Sequence, residues 1–126
     1  MIYTTYFGNI KNLPESITPI AICGGLPKSW GGLSYKALAP KYSFWSQWKE
    51  THDNEYYIEQ YQKLVLSKLT QEGVVNDLSE MSGTKDFALV CYEKPKDFCH
   101  RHLVSKWLIE GGFECTEYFP DQKMHE

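Results

Sequence analysis

The sequence has no long apolar run, and its hydrophobic stretches fall far short of the ~20 residues that a membrane-spanning helix needs. Its first residues, MIYTTYFGNIKN, lack a basic stretch followed by an apolar one, so no secretory signal is expected. There is no block of like charge. Thirteen basic residues are scattered among sixteen acidic ones, for a net charge of -3. Gripping the backbone of a nucleic-acid duplex needs a concentrated Lys/Arg surface, so duplex nucleic acid is not an expected partner. No internal repeat and no low-complexity tract appears. Cysteine is sparse, with only Cys23, Cys91, Cys99 and Cys115, and none are spaced as C-x2-4-C. A disulfide scaffold is therefore not expected in a chain of 126 residues, and reduced thiols in a cytoplasmic protein are.

What is present is aromatic. Nine tyrosines, four tryptophans and six phenylalanines make up 15% of the chain. Such side chains suit half-buried, ligand-facing walls as well as cores. IYTTYF (2–7) and TPIAICGG (18–25) read as strands, each closed by Gly-containing loops. Residues 25–43 are rich in Gly, Pro and Ser and read as a long irregular loop. FWSQWKET (44–51) predicts a short helix. The spacing of Ile58, Tyr61, Val65 and Leu69 predicts a long one over 53–71, capped by Asp53 or Asn54. A further helix is expected over 74–81. FALVCYE (87–93) is apolar on both faces, as a central strand is. LVSKWLI (103–109) reads as a helix, FECTEYF (113–119) as a last strand, and a polar tail follows from about residue 120. The order fits a small, single-domain α/β layered sandwich over 1–126, with a mostly parallel central sheet and helices packed on it.

The chemistry concentrates in CYEKPKDFCHRH (91–102). Alternation puts Cys91 and Glu93 on one face at the carboxyl end of a central strand, the edge at which parallel sheets bind ligands. Asp97 is an expected helix N-cap, with Phe98, Cys99 and His100 in the first turn. Phasing on Leu103, Val104, Trp107 and Leu108 turns His100 toward the sheet and His102 toward solvent.

Four readings of the corner follow. Cys91, Cys99 and His100 can converge as metal ligands, but their spacing is not that of a zinc motif, and no metal or other cofactor is expected. Cys99, near a helix N-terminus and His100, has the surroundings of an activated thiol. Arg101, His100 and the helix N–H groups form an anion site, with Glu93 as a general base or a sugar-orienting carboxylate. Lastly, Glu93 and Arg101 can simply pair, with the remaining side chains filling space.

CYEKPKDFCHRHLVSKWL resembles the C-x-E-K-x-x-x-x-CHR segment of the family called domain of unknown function 488, in its short phage- and bacteria-type members. The LAP of ALAPK (37–41), the Y-I-x-x-Y of Tyr57–Tyr61 and the MIYTTYFGN start are similar too. Where that family has a basic residue before a proline, this chain has Gly25-Leu26-Pro27-Lys28, which moves the basic group to Lys28. The resemblance implies a compact α/β domain with Cys91, Glu93, Cys99, His100 and Arg101 at its hallmark positions. It names no reaction.

The leading expectation is a small enzyme acting on a nucleotide or nucleic-acid component. Glu93, His100 and Cys99 are its catalytic candidates. Cys91, Arg101 and Lys28 are expected to touch the ligand, and Trp30, Tyr35, Tyr57 and Tyr61 to form an aromatic wall; for Tyr57 and Tyr61 the competing reading is core packing. The alternatives are a binding module that sequesters a small anionic ligand, and a protein-interaction domain.

Overall fold

A computed structural model describes residues 1–84 and 86–119; the expected polar tail lies outside the described residues. Among the described residues, five strands, β1 (Ile2–Tyr6), β2 (Thr18–Ala21), β3 (Leu33–Ser34), β4 (Phe87–Cys91) and β5 (Cys115–Glu117), form one sheet in the order β3-β2-β4-β1-β5. Every pairing is parallel. Four helices accompany them: α1 (Tyr42–Thr51), α2 (Asn54–Leu64), α3 (Gln71–Ser82) and α4 (His100–Glu110). The fold is the expected α/β one.

β4 is buried at every position because both of its faces are covered. Phe87 and Leu89 join Tyr61, Leu78, Val104 and Leu108 in the core beneath the helices. On the other face Ala88 meets Ile17 and Tyr118, with Tyr3 and Leu13 packed alongside. The chain thus leaves β1 on one side of the sheet and its neighbour β4 on the other. On the helix-covered side, the carboxyl ends of the paired strands β2 and β4 lie side by side, the edge at which parallel sheets bind ligands.

Three local expectations change. The loop over 25–43 contains the edge strand β3 and a single 3-10 turn, Lys36–Leu38. Two residues carry no legible period; their place is set by pairing Leu33 with Ile20 and Ser34 with Ala21. The long helix over 53–71 starts as expected, with Asp53 accepting from the Tyr56 N–H at 3.1 Å, but ends at Leu64. Leu69 is extended and Thr70 caps α3, accepting from the Gly73 N–H, so α3 begins at Gln71. Finally, Cys99 rather than Asp97 is the N-cap residue of α4, and its side chain makes no capping bond.

Candidate functional site

The strand-to-helix corner forms the floor of a cavity of about 530 Å³ at the carboxyl end of the sheet. Cys91 ends β4 and Glu93 follows it. Cys99 and His100 open α4, and Cys23, Gly24 and Gly25 follow β2. The walls are aromatic: Tyr42, Trp45 and Trp48 from α1, Tyr57 from α2, and Phe98 and Tyr92 from the corner itself. Trp48, Tyr57 and Phe98 brace one another, with ring centroids 5.0–5.8 Å apart. Lys49 lines the same space, with its Nζ 5.5 Å from the Trp45 ring centre.

His100 is buried, and its Nε2 lies 2.7 Å from the Ile22 carbonyl oxygen. An acceptor there requires Nε2 to carry a hydrogen. Burial lowers the imidazole pKa to about 4, the Ile22 bond opposes this, and nearby Arg101 and His102 reinforce it. Near neutral pH the ring is therefore neutral, and it brings no imidazolium charge to the expected anion site. The same burial makes stability pH-dependent. Between the ordinary value of 6.5 and about 4 the unfolded chain takes up a proton that the fold refuses. Stability is thus complete above about pH 6.5 and falls as pH drops to 4, by on the order of 3 kcal/mol. Urea unfolding of the oxidised, metal-free protein at pH 7 and pH 4.5 measures the loss. Most of it should vanish in His100→Gln, with a residue left from His102, whose pKa burial also lowers. An equal loss in that variant would place the pH dependence elsewhere.

Arg101 takes no part in the cavity lining. Its side chain is fully buried, and Nε and Nη2 grip the two carboxylate oxygens of Glu117 at 3.1 and 2.9 Å. Nη1 donates to the Glu93 carbonyl at 2.6 Å and to Cys91 Sγ at 3.3 Å. Thr4 donates its hydroxyl to the same Glu117 at 2.7 Å. The guanidinium ties α4 to β5 and to the end of β4, which corrects the expectation that it holds a ligand anion. Glu93 contributes its backbone to Arg101 and its side chain to the cavity, so these two residues are not the simple ion pair of the packing reading either.

The other aromatic candidates scatter. Tyr57 lines the cavity, and burial, with Glu93 nearby, raises its pKa. Tyr61 is in the core, its hydroxyl bonded to the Leu38 carbonyl, so for this residue the packing reading holds. Tyr35 donates to Asp77 at 2.6 Å. Trp30 packs on Phe7 and donates to the Leu33 carbonyl, and Lys28 is exposed; neither lines the cavity. His102 is half-buried rather than solvent-facing, and its Nε2 is the one buried side-chain polar atom without a partner among the described residues.

The thiols also differ from expectation. Cys23 and Cys115 are free, but Cys91 and Cys99 are joined as a disulfide. The extended backbone of Cys99 at the helix N-cap brings its sulfur to the end of β4. Burial raises the pKa of the Cys23 thiol, which donates to the Gly25 carbonyl.

A family model described as the active DUF488-N3 subclade matches residues 15–112, the span that holds β2 through α4 and every cavity residue named above. The chain belongs to the DUF488 family. No curated protein and no solved structure matches it. Of the DUF488 hallmark positions, the fold brings Cys91, Glu93, Cys99 and His100 into one cavity and sets Arg101 behind them. The walls contributed by α1 went unread in the sequence. Their signal is Tyr42, Trp45 and Trp48 at three-residue spacing, of which Tyr42 and Trp45 remain exposed, whereas a helix that only packs buries such a stripe.

Proposed function

We propose that the cavity binds a nucleotide or a related nucleic-acid component, and that the protein is an enzyme in which Glu93 acts as the general base. One observation carries this reading: a carboxylate stands at the floor of a cavity whose walls are aromatic rings, at the carboxyl end of a central parallel strand. Flat, electron-poor rings such as nucleobases stack on aromatic side chains, worth about 1–3 kcal/mol per base. Glu93 at the floor is placed to accept a proton or orient a sugar hydroxyl. With Arg101 committed to Glu117, the cation that lines the cavity and can meet a phosphate is Lys49, while Lys36 at the rim bonds the Gly24 carbonyl. The family description calls the subclade active and names no reaction.

Trp45 and Trp48 make binding visible. Titration with nucleosides and nucleoside monophosphates should quench tryptophan fluorescence. Trp45→Ala should weaken binding by about 1–3 kcal/mol. Lys49→Ala should weaken the monophosphate and leave the nucleoside unchanged. Absence of quenching by either class would refute the ligand assignment. A ligand recovered intact after long incubation would instead favour the sequestering module, which uses the same walls without Glu93 chemistry.

A further inference from the structure

We propose that Cys91, Cys99 and His100 form a metal site in the reduced protein, taking a zinc-class divalent ion with its remaining coordination position open to the cavity. Their ligand atoms lie within 4.8 Å of one another, and all three residues are buried. The histidine is already set for the task. Its Nε2 hydrogen is directed to the Ile22 carbonyl at 2.7 Å, which leaves Nδ1 as the lone-pair nitrogen, 3.9 Å from Cys99 Sγ. Metal-ligating histidines characteristically donate their other ring N–H to such an acceptor. Arg101 Nη1, 3.3 Å from Cys91 Sγ, supplies positive charge beside a sulfur that must ligate as thiolate. The Cα atoms of Cys91 and Cys99 stand 7.6 Å apart, beyond the 4.4–6.8 Å usual for disulfides. Two thiolates on one zinc, each at about 2.3 Å from it, sit roughly 3.8 Å from each other, a spacing that wider-set backbones suit. Two sulfurs and one imidazole are a soft, borderline set that selects zinc over magnesium or calcium. All three ligands also line the cavity, so an ion there faces whatever the cavity holds.

A dithiol reductant gives two electrons and two protons to the disulfide and is itself oxidised to a disulfide, leaving two thiols. The ion then displaces both thiol protons. The site is therefore absent from the oxidised form.

The test uses metal uptake, so its result is separate from that of the nucleotide reading. The protein is reduced with a dithiol, desalted without oxygen and titrated with Co²⁺. We expect one equivalent bound, with sulfur-to-cobalt charge-transfer absorption that Zn²⁺ abolishes, and no uptake before reduction. Native mass spectrometry of the zinc-loaded wild type should show one zinc less two protons. Cys91→Ser and Cys99→Ser should lose most of the charge-transfer band, and His100→Ala should lower affinity at least about tenfold. Cys23→Ser should keep the spectrum; its loss would mean that Cys23 closes the fourth position and would overturn the open site. A reduced wild type that binds no Co²⁺, or binds it without the charge-transfer band, overturns the site itself, and that result does not depend on any variant folding.

Discussion

Arg101→Ala will lower the unfolding free energy by about 3–5 kcal/mol, the range for breaking a buried ion pair from one side. The size follows from what the truncation strands. Glu117 is left with a largely buried carboxylate whose remaining donor is the Thr4 hydroxyl, and the Glu93 carbonyl loses its 2.6 Å donor. Water reaches these largely buried groups poorly, so it replaces the lost guanidinium only in part. Arg101→Lys should recover less than half of the loss, because an ammonium cannot reproduce the two-pronged grip on Glu117. Arg101→Met combined with Glu117→Leu should be far milder than Arg101→Ala, since no charge is then left alone. Urea unfolding with an unchanged denaturant slope measures all three. A loss under about 1 kcal/mol in Arg101→Ala would show that this network does not hold α4 to the sheet.

Glu93→Gln should give the opposite pattern. The backbone carbonyl that serves Arg101 is kept, so stability should stay within about 0.5 kcal/mol of wild type. Turnover should fall about 10²–10⁴-fold, the usual worth of a positioned general base. The assay incubates each protein with a mixture of nucleosides and nucleoside monophosphates, then denatures it and analyses what is released. Wild type should return altered product and Glu93→Gln intact ligand. Equal turnover in the two would remove Glu93 from the chemistry. A large fall in melting temperature would make its carboxylate structural.

These two residues show where sequence reading succeeds and fails. Cys91 lies where strict strand alternation puts it, at the carboxyl end of β4, but the strand stops there rather than at residue 93, so Glu93 lines the cavity from the turn. His100 was placed correctly because four apolar residues of α4 fix the helix phase. Arg101 sits on the same helix, yet its role was misread. Phase gives direction, not partners, and Glu117 lies sixteen residues away on a strand that joins the sheet beyond β1. Trp30 and Tyr35 were expected over the cavity because their loop is long and irregular. That loop instead builds the edge strand, with Trp30 bonded to Leu33 within the loop and Tyr35 to Asp77 of α3.

The sequence by itself determined the α/β class, the central strand, the helix that follows it and the membership of Cys91, Glu93, Cys99 and His100 in one corner. The strand, the helix and the corner rest on local periodicity and on residues within ten positions of each other, and the class on the order of such elements along the chain. The tertiary structure alone decided what surrounds that corner. It joined Cys99 to Cys91, tied Arg101 to Glu117 away from the cavity, set His100 Nδ1 3.9 Å from the Cys99 sulfur and brought the α1 aromatics over the floor. Each of these is set by contacts between elements that no spacing along the chain encodes.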